Sequence, residues 1–441
     1  MSDTPIETVD VVIIGGGLTG LVAGRDLSRA GLRTTIIEGR DRLGGRAYYR
    51  DSPLGMKLEF GGGFVHWLQP HLWAEMNAYG LKLKPVGWID YAYWLDKGVS
   101  RRMDIMDFIR QISPGEAAIA EGAMAAFPNP HQPFPLTEAA KAADKVSVAQ
   151  KIGQLGLGED EAAMIRAHWT LSFNGPPQEG AWSQVLRLVA LAAGSWEMRG
   201  QAESRYLIDG GTTRLVDAIA ADSRADVMLS TIATGIRHGE DGVEVTTQDG
   251  PMVKARKAIV TVPLAVLGAI AFDPPLSPGK AGASMRGQVS RGVKVWMRVR
   301  GKIEPFIAFA PEDYPLTMMG WEYDIDGDTI LLGFGPSSAQ LDVTSLQAVQ
   351  AAARQWMPDI ELVGVDAHDW VQDPLAGETW AMLRTGQLSQ DMEELIRPEG
   401  PIMIAGSDYA LGWSGHFDGA IESGRSAARA IIDELKPREA G

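Results

Sequence analysis

The pattern of apolar and polar positions near the start of the chain predicts a β-α-β unit. Residues 9–14 (VDVVII) form an apolar run rich in β-branched side chains, typical of a strand buried on both faces. Residues 15–31 (GGGLTGLVAGRDLSRAG) then change to a helical pattern, and residues 32–38 (LRTTIIE) form a second apolar run. Two short strands separated by one helix predict parallel pairing through a crossover.

Further along, helical and strand patterns alternate in large blocks. A mostly helical segment is predicted from Gln69 to Ala193, with proline-rich loops at FPNPHQPFPL and NGPPQ. Short alternating runs return between residues 205 and 262, where HGEDG is typical of a hairpin turn. Residues 293–364 alternate like an antiparallel sheet, and residues 401–441 predict a strand, a glycine-rich loop and a long helix.

The nucleotide-binding patterns lie in three separated blocks, with two other blocks inserted between them. We therefore predict one discontinuous domain and a second domain built from the insertions. The predicted boundaries assign residues 1–85, 200–285 and 395–441 to the first domain, and residues 86–199 and 286–394 to the second. A chain of 441 residues is long enough for two such cores.

Composition and charge argue against several classes of function. The net charge of −15 argues against a nucleic-acid partner, whose phosphates the protein would repel; it is compatible with attraction of a cationic small molecule, but solubility explains it more simply. The absence of cysteine excludes disulfides, cysteine-bound metals and a flavin attached through cysteine. The polar start MSDTPIETVD does not resemble a signal peptide, and no run approaches the roughly 18 apolar residues of a membrane span. We therefore predict a soluble, cytoplasmic protein without a membrane partner.

The glycines after the first strand predict a dinucleotide site. Gly15, Gly17 and Gly20 have the G-x-G-x-x-G spacing, in which the glycines allow a tight turn, a close approach to a pyrophosphate and close helix packing. The following helix offers its N-terminal N–H groups to the phosphates. Glu38 ends the second strand, where a carboxylate can accept both hydroxyls of an adenine ribose. NAD and FAD both remain compatible with this pattern.

A second glycine pair favours the longer cofactor. In DRLGGRAYY, Gly44 and Gly45 allow another close backbone approach, and Arg46 offers a fixed cation with bidentate geometry for a diphosphate. Most NAD sites do not need this second clamp. We therefore predict FAD, with a solvated loop arginine as the alternative interpretation of Arg46.

With these motifs, the chain resembles the flavin-containing amine oxidases of the monoamine oxidase type. The resemblance extends from about Val9 to Ile431 and rests on IIGGGLTGL, DRLGGRAY, EFGGGFVH, IVTVPL and, most specifically, AGSDYALGWSGHFDGAIESG. It implies an α/β fold with a discontinuous Rossmann-like FAD-binding domain and an α+β substrate domain. It also implies that FAD contacts Leu18, Thr19, Gly39, Arg40, Gly62, Gly63, Phe64, Ile232, Gly406, Ser407, Asp408, Ser414, Gly415, His416, Phe417 and Ala420.

The resemblance assigns a chemical role to three side chains. Alternation in RGVKVWM is compatible with Lys294 on either face and by itself favours the surface, whereas the family places a lysine here that holds a water against the flavin. Trp380 and His416 occupy the positions of two aromatic side chains that face each other before the flavin, and His416 replaces the usual tyrosine. Thr379 replaces the cysteine through which some relatives attach FAD, so we expect noncovalent FAD.

A closer resemblance points to one group within this family, the bacterial 6-hydroxy-L-nicotine oxidases. It rests on DAHDWVQDPLAGETWAMLRTGQLS, EFGGGFVHW and QVLRLVALAA. It implies oxidation of the pyrrolidine C–N bond of a hydroxylated pyridine alkaloid, with O2 or another electron acceptor. The implied substrate-binding residues are Phe64, His66, Thr170 with Asn174 as its alternative, and Trp321.

Other functions have weaker support in the sequence. The seven histidines include no H-x-H or H-E-x-x-H spacing, so no metal site is predicted, and no G-x-S-x-G elbow occurs. Acidic pairs such as Glu322 with Asp324 are expected to be solvated. The alternatives left open are an oxidase of another secondary amine or a polyamine, a flavoprotein desaturase, and an FAD-binding module without turnover. The oligomeric state also remains open and is compatible with a homodimer.

Overall fold

The computed structural model describes residues 7–436. Two short segments lie outside the described residues. They are residues 1–6, in the N-terminal stretch for which we predict no signal peptide, and residues 437–441, which we assign to the first domain. The strands are β1 (Glu7–Ile14), β2 (Thr34–Ile37), β3 (Tyr49–Asp51), β4 (Lys57–Glu59), β5 (Leu83–Pro85), β6 (Tyr91–Asp96), β7 (Val99–Asp104), β8 (Tyr206–Ile208), β9 (Asp226–Met228), β10 (Ala233–Gly239), β11 (Gly242–Thr247), β12 (Val253–Val260), β13 (Ala271–Asp273), β14 (Val293–Val299), β15 (Phe306–Phe309), β16 (Met318–Ile325), β17 (Asp328–Gly335), β18 (Leu362–Ala367) and β19 (Ile402–Ile404).

Most helices of the described chain lie between residues 70 and 286, and the longest begins after residue 416. The helices are α1 (Leu18–Arg29), α2 (Pro70–Ala78), α3 (Ile105–Ala120), α4 (Ala123–Ala126), α5 (Glu138–Asp144), α6 (Val148–Gln154), α7 (Glu159–Phe173), α8 (Trp182–Leu191), α9 (Trp196–Ser204), α10 (Thr213–Ala221), α11 (Pro278–Arg286), α12 (Leu346–Ala353), α13 (Gln387–Gln390), α14 (Met392–Ile396) and α15 (Phe417–Leu435). Short 3-10 turns lie at Leu264–Ala269 and Ser407–Tyr409. In residues 7–436 no helix has the length and apolar character needed to cross a bilayer.

The first sheet collects strands that are far apart in the sequence. Its order is β13-β10-β11-β12-β1-β2-β9, and β19 also pairs with the end of β12. β1 lies parallel to both β12 and β2, so the predicted β-α-β unit is present. β10 and β11 are joined at residues 240–241, where HGEDG predicts a turn.

The strand β1 explains why this sheet is covered on both faces. Val12 and Ile14 pack into a core that includes helices α8 and α11, whereas Val11 and Ile13 pack into another that includes α1 and α15. Because alternate side chains of a strand point to opposite faces, an uninterrupted apolar run requires a partner layer on each side.

The second sheet is built from the two inserted blocks. Its order is β18-β14-β17-β16-β15-β6-β7, and its pairs are antiparallel except for β15 with β6. The predicted alternation of residues 293–364 corresponds to β14 to β18. One face packs Val293, Val295 and Met297 against the region of α12. The other face carries Lys294 and Trp296 toward the hairpin β3-β4 and the loop after it, where Lys294 Nζ donates to Gly61 O and Trp296 Nε1 to Glu59 O.

Helices α1 and α15 cross at a glycine. A Cβ added to Gly424 would lie 2.5 Å from the carbonyl oxygen of Thr19, and the Thr19 hydroxyl donates to the carbonyl of Ala420 at 2.9 Å. Gly20 has a similar role against β1, since a Cβ there would lie 2.0 Å from the Gly15 carbonyl oxygen. These contacts fix the two helix N-termini beside the glycine loop.

We predict that Gly424→Ala destabilises the protein by about 1–3 kcal/mol, because the added methyl group meets fixed backbone. Gly153→Ala in α6 is the matched control, since its Cβ would meet open space, and a helical alanine is favoured over glycine by roughly 0.5–1 kcal/mol. Denaturant unfolding of both variants measures the difference. Equal stability of the two variants would show that the helices can separate at no cost.

Candidate active site

A cavity of about 950 Å³ is lined by residues of both sheets. Its volume lies near the upper end of the ~300–1,000 Å³ typical of ligand pockets. One end is formed by the glycine loop after β1, and the other by aromatic side chains of the second sheet and the inserted helices. The two ends differ in construction, since backbone forms the first and side chains form the second.

The first end consists of two backbone loops in contact. Gly15 has φ +109° and a Cβ there would lie 2.5 Å from Thr261 Oγ1. Gly45 has φ +58° and its Cβ would lie 3.2 Å from the Cα of Gly17. Gly44 N–H donates to the Gly16 carbonyl at 2.8 Å. Side chains would separate these loops, so glycine is required here for close approach.

Glu38 stands at the edge of this loop. Its carboxylate is buried and accepts from the N–H of Gly16 at 2.6 Å and of Arg40 at 2.8 Å. Because a carboxylate offers about four acceptor positions, acceptors remain for the hydroxyls of a ribose. Arg40 is held by Asp373 at 2.7 Å, and Gly39 and Ile232 line the cavity beside it.

Arg46 also lines the cavity, but its guanidinium is strongly tied to protein groups. It donates to Asp408 at 2.5 Å, to the Ser407 hydroxyl at 3.0 Å and to the Thr379 carbonyl at 2.9 Å. Burial opposes its charge, yet Asp408 and Glu378 raise the pKa of Arg46 overall. Burial and the nearby Asp408 charge raise the pKa of Glu378. Arg46 is therefore fixed as a cation facing the cavity.

Lys294 is at the other end of the cavity rather than on the surface. Its Nζ donates to the carbonyl of Gly61 at 2.8 Å, beside the lining glycines Gly62 and Gly63. Burial lowers the pKa of Lys294 to about 8, although Glu59 and Glu322 act in the opposite direction. The lysine can therefore change its charge near neutral pH.

Trp380, His416 and Thr379 also line the cavity, and Trp380 is linked to Lys294 through Phe334, whose ring centroid lies 5.9 Å from Lys294 Nζ. Trp380 Nε1 donates to the Ser172 carbonyl at 2.9 Å, and its ring meets Phe334 edge to face with centroids 6.1 Å apart. His416 is the residue at which α15 begins. The remaining predicted cofactor contacts in this lining are Leu18, Thr19, Phe64, Gly406, Ser407, Gly415, Phe417 and Ala420.

The structure places three of the predicted substrate-binding residues outside the cavity lining. His66 is only 1% exposed, and its Nδ1 accepts from the Leu68 N–H at 3.1 Å. The Thr170 hydroxyl donates to the Arg166 carbonyl at 2.8 Å. Asn174 ends α7 and donates to the Gly335 carbonyl at 3.1 Å. Trp321 and Phe64, by contrast, line the cavity.

Three predicted cofactor contacts also lie behind the lining. Gly20 packs against the Gly15 backbone. Asp408 accepts from Arg46 and from the Leu264 N–H at 3.0 Å. The Ser414 carbonyl lies 2.8 Å from Nδ1 of His416. These residues position the residues that face the cavity.

Many lining residues belong to no motif and were not predicted from the sequence, among them Trp88, Arg199, Glu203 and Glu322. Glu322 differs most from expectation, since it was expected to be solvated together with Asp324. The pairing of β16 shifts register between Trp321 and Tyr323, so Glu322 lines the cavity while Asp324 is exposed. Burial raises the pKa of Glu322 to about 7, and Lys294 acts in the opposite direction.

These residues fit FAD. The glycine loops leave room for a diphosphate, Glu38 offers acceptors to a ribose, and both α1 and α15 begin at the cavity without a side-chain cap in the described chain. Uncapped helix N-termini favour bound anions. No group of metal-ligating side chains occurs in residues 7–436. The fold and site therefore define a flavoenzyme whose reactive end is aromatic and contains one lysine.

The chain belongs to the family of flavin-containing amine oxidoreductases, whose model matches residues 18–432. This confirms the predicted family, the FAD cofactor and the class of amine oxidase. Nicotine dehydrogenase of Pseudomonas putida is 34% identical over 96% of this chain and 88% of its own length. Pseudooxynicotine dehydrogenase of a Pseudomonas species is 32% identical over 97% and 87%. (S)-6-hydroxynicotine oxidase of Paenarthrobacter nicotinovorans is 29% identical over 96% and 99%.

Solved structures confirm the predicted fold class. A triple mutant of putrescine oxidase superposes with a TM-score of 0.84 at 21% identity, covering 98% of this chain and all of that one. Cyclohexylamine oxidase from Brevibacterium oxydans gives 0.80 at 22% identity, covering 97% and 99%. At these identities the likeness concerns the fold alone.

We predict that Glu38→Gln weakens FAD binding about 10–100-fold, because hydrogen bonds to a charged acceptor contribute about 1.5–3 kcal/mol. The amide would also place an NH2 group against the N–H of Gly16 or Arg40. Glu240→Gln, at an exposed turn, is the control. Titration of the FAD-free proteins with FAD measures the affinity, and equal affinities would contradict the assigned role of Glu38.

Proposed function

We propose that this protein oxidises the pyrrolidine C–N bond of a pyridine alkaloid, converting 6-hydroxy-L-nicotine to 6-hydroxypseudooxynicotine while O2 is reduced to H2O2. The observation that carries the proposal is the aromatic slot formed by Trp380, Phe334 and Trp321 at the Lys294 end of the cavity. The names of three relatives at 29–34% identity support a substrate of the nicotine group.

The slot is suited to flat or cyclic amines. Trp380 is fixed by its hydrogen bond to Ser172 and by its contact with Phe334. Fixed aromatic walls restrict the orientation of a bound ring, and positioning of this kind lowers the barrier of a reaction. Bound FAD would supply the two-electron oxidation, and Trp380 with Phe334 would direct the C–N bond toward it.

Lys294 is proposed to act on water and O2. As an ammonium it has three donors, of which one is used by the Gly61 carbonyl. The other two can hold a water for hydrolysis of the iminium product. Reduction of O2 builds negative charge, which a nearby cation stabilises.

A second candidate retains the same chemistry with another alkaloid and another acceptor. Two of the relatives are named as dehydrogenases, of nicotine and of pseudooxynicotine. Their identities to this chain, 34% and 32%, exceed the 29% of the 6-hydroxynicotine oxidase. Nicotine or pseudooxynicotine, with an acceptor other than O2, is therefore the alternative to be tested.

We predict that anaerobic mixing of the yellow holoenzyme with 6-hydroxy-L-nicotine bleaches the flavin within seconds, at the scale of typical turnover. Stopped-flow absorbance compares it with nicotine, pseudooxynicotine and a linear diamine. Faster bleaching by nicotine or pseudooxynicotine would reject the first substrate and favour the second candidate. Subsequent mixing with O2 separates an oxidase from a dehydrogenase, since only an oxidase regains its colour rapidly.

We predict that reoxidation of the reduced enzyme by O2 slows as the pH rises through about 8, because Lys294, whose pKa is lowered to about 8 by burial, then loses its charge. Lys294→Met should reoxidise at least about tenfold more slowly and without this pH dependence. The control is Lys141→Met, an exposed lysine on α5. An unchanged pH profile in Lys294→Met would contradict the proposed role.

A further inference from the structure

The imidazole of His416, a residue of the cavity lining, has one ring nitrogen in a hydrogen bond and the other without one in the described chain. Nδ1 lies 2.8 Å from the carbonyl oxygen of Ser414. A carbonyl oxygen can only accept, so Nδ1 carries the hydrogen and the neutral ring presents a lone pair at Nε2. Among the described residues no hydrogen bond within 3.5 Å uses Nε2. The ring is therefore prepared to accept a proton from the cavity.

The carboxylate of Glu203 lies beside Nε2 of His416. Glu203 also lines the cavity, and its Oε1 lies 3.8 Å from Nε2 of His416. Arg199, one helical turn earlier on α9, holds this carboxylate through Nε to Oε1 at 3.0 Å and Nη2 to Oε2 at 2.5 Å. Burial raises the pKa of Glu203, but Arg199 and His416 outweigh it and lower the pKa overall. Glu203 is therefore an anion that can stabilise a positive charge on the imidazole.

The same arginine connects this pair to Trp380. Arg199 donates to the hydroxyl of Ser172, whose carbonyl accepts from Nε1 of Trp380 at 2.9 Å. The guanidinium also lies over the Trp169 ring, 4.3 Å from its centroid. His416 and Trp380, the two side chains expected before the flavin, are thus held by one connected set of contacts.

We propose that His416 and Glu203 are the proton-accepting pair of amine oxidation: Nε2 of His416 takes the proton of the substrate ammonium, and Glu203 stabilises the imidazolium. The proposal deepens the proposed function, since it requires an amine substrate. The N–H bond of the ammonium breaks, its electron pair stays on nitrogen, and a new N–H bond forms at Nε2. No electrons are transferred in this step. The neutral amine that results has the lone pair needed for oxidation.

Asp418, on the same helix, is a second acidic neighbour of His416. It accepts from the Leu72 N–H at 2.9 Å, its Oδ2 has no hydrogen-bond partner within the described chain, and burial raises the pKa of Asp418 to about 6 although His416 acts in the opposite direction. The other nearby charges are paired: Arg425 pairs with Glu75 of α2, which also pairs with Arg25 of α1. His71 of α2 lies beside Arg425, and Asp408 in the preceding turn is paired with Arg46. Within residues 7–436, Glu203 is the carboxylate recorded within 4.0 Å of the His416 ring nitrogens.

The test separates proton acceptance from a structural role by pH. His416→Phe keeps an aromatic wall but cannot take a proton. At pH 7 we expect its rate constant for flavin bleaching, measured at low amine concentration, to fall about 100-fold, the lower end of the roughly 10²–10⁴-fold contribution of general bases. At a pH above the pKa of the amine used, the amine is mostly neutral in solution, and the deficit should shrink to about threefold or less. A deficit of equal size at every pH would overturn the proposal.

Glu203→Gln tests the stabilising carboxylate. Loss of this carboxylate disfavours the imidazolium. In the pH profile of flavin bleaching, the acid limb of the variant should therefore lie at lower pH than that of the wild type, and the bleaching rate at neutral pH should fall several-fold. Glu197→Gln, an exposed carboxylate on the same helix, is the matched control. Identical profiles for the two variants would overturn the role of Glu203. FAD content and thermal stability of each variant show that the fold is retained.

The roles of His416 and Glu203 can be tested separately from the proposed alkaloid substrate, because the experiment works with any amine that reduces the flavin. All variants are measured with whichever amine bleaches the wild-type flavin fastest. If that amine is not a pyridine alkaloid, the proposed substrate is wrong, while the pH comparison still decides on His416 and Glu203. A wild type that no amine reduces would overturn both.

Discussion

One guanidinium joins parts of the chain that are far apart in sequence. Arg46 follows the second glycine pair, and it contacts the Thr379 carbonyl in the second inserted block and Asp408 in the C-terminal block. Without it, two buried carboxyl groups, Glu378 and Asp408, would lie close together with no counter-ion, which is a large cost in a protein interior. The position of the C-terminal loop before the cavity, and hence of His416, depends on this cluster.

The sequence predicted most of the structure where local pattern determines it. The unit β1-α1-β2, the glycine loop and Glu38 were predicted because apolar runs, helical periodicity and glycine spacing are local patterns that extend over a few residues. The parallel pairing of β6 with β15 brings Tyr91 beside Phe306, and no local pattern specifies such a contact. Lys294 was ambiguous for a related reason: both faces of β14 are covered by apolar side chains, so alternation does not distinguish them.

The candidate site was predicted less completely at its reactive end. Glu322 was misjudged because a bulge in β16 ends strict alternation, and bulges leave little trace in a sequence. Thr170 and Asn174 were named from the register of a helix, but their side chains bond to backbone carbonyls of Arg166 and Gly335. Arg199 and Glu203 belong to no motif. Their importance depends on how α9 packs against the start of α15, which is a tertiary property.

Backbone contacts hold one end of the cavity in place, and side-chain contacts hold the other. Substitutions that change the substrate are therefore easier at the side-chain end. At the glycine loops, the wall predicted to hold the diphosphate of FAD is backbone, and a Cβ at Gly15 or Gly20 would lie within 2.5 Å of neighbouring atoms. At the reactive end, Trp380, His416 and Glu203 are held by side-chain contacts that tolerate exchange if charge stays balanced. A tyrosine replaced by histidine at position 416 adds a titratable group, and an ionised Glu203 can balance its charge. Substrate chemistry can therefore diverge here while the cofactor stays bound.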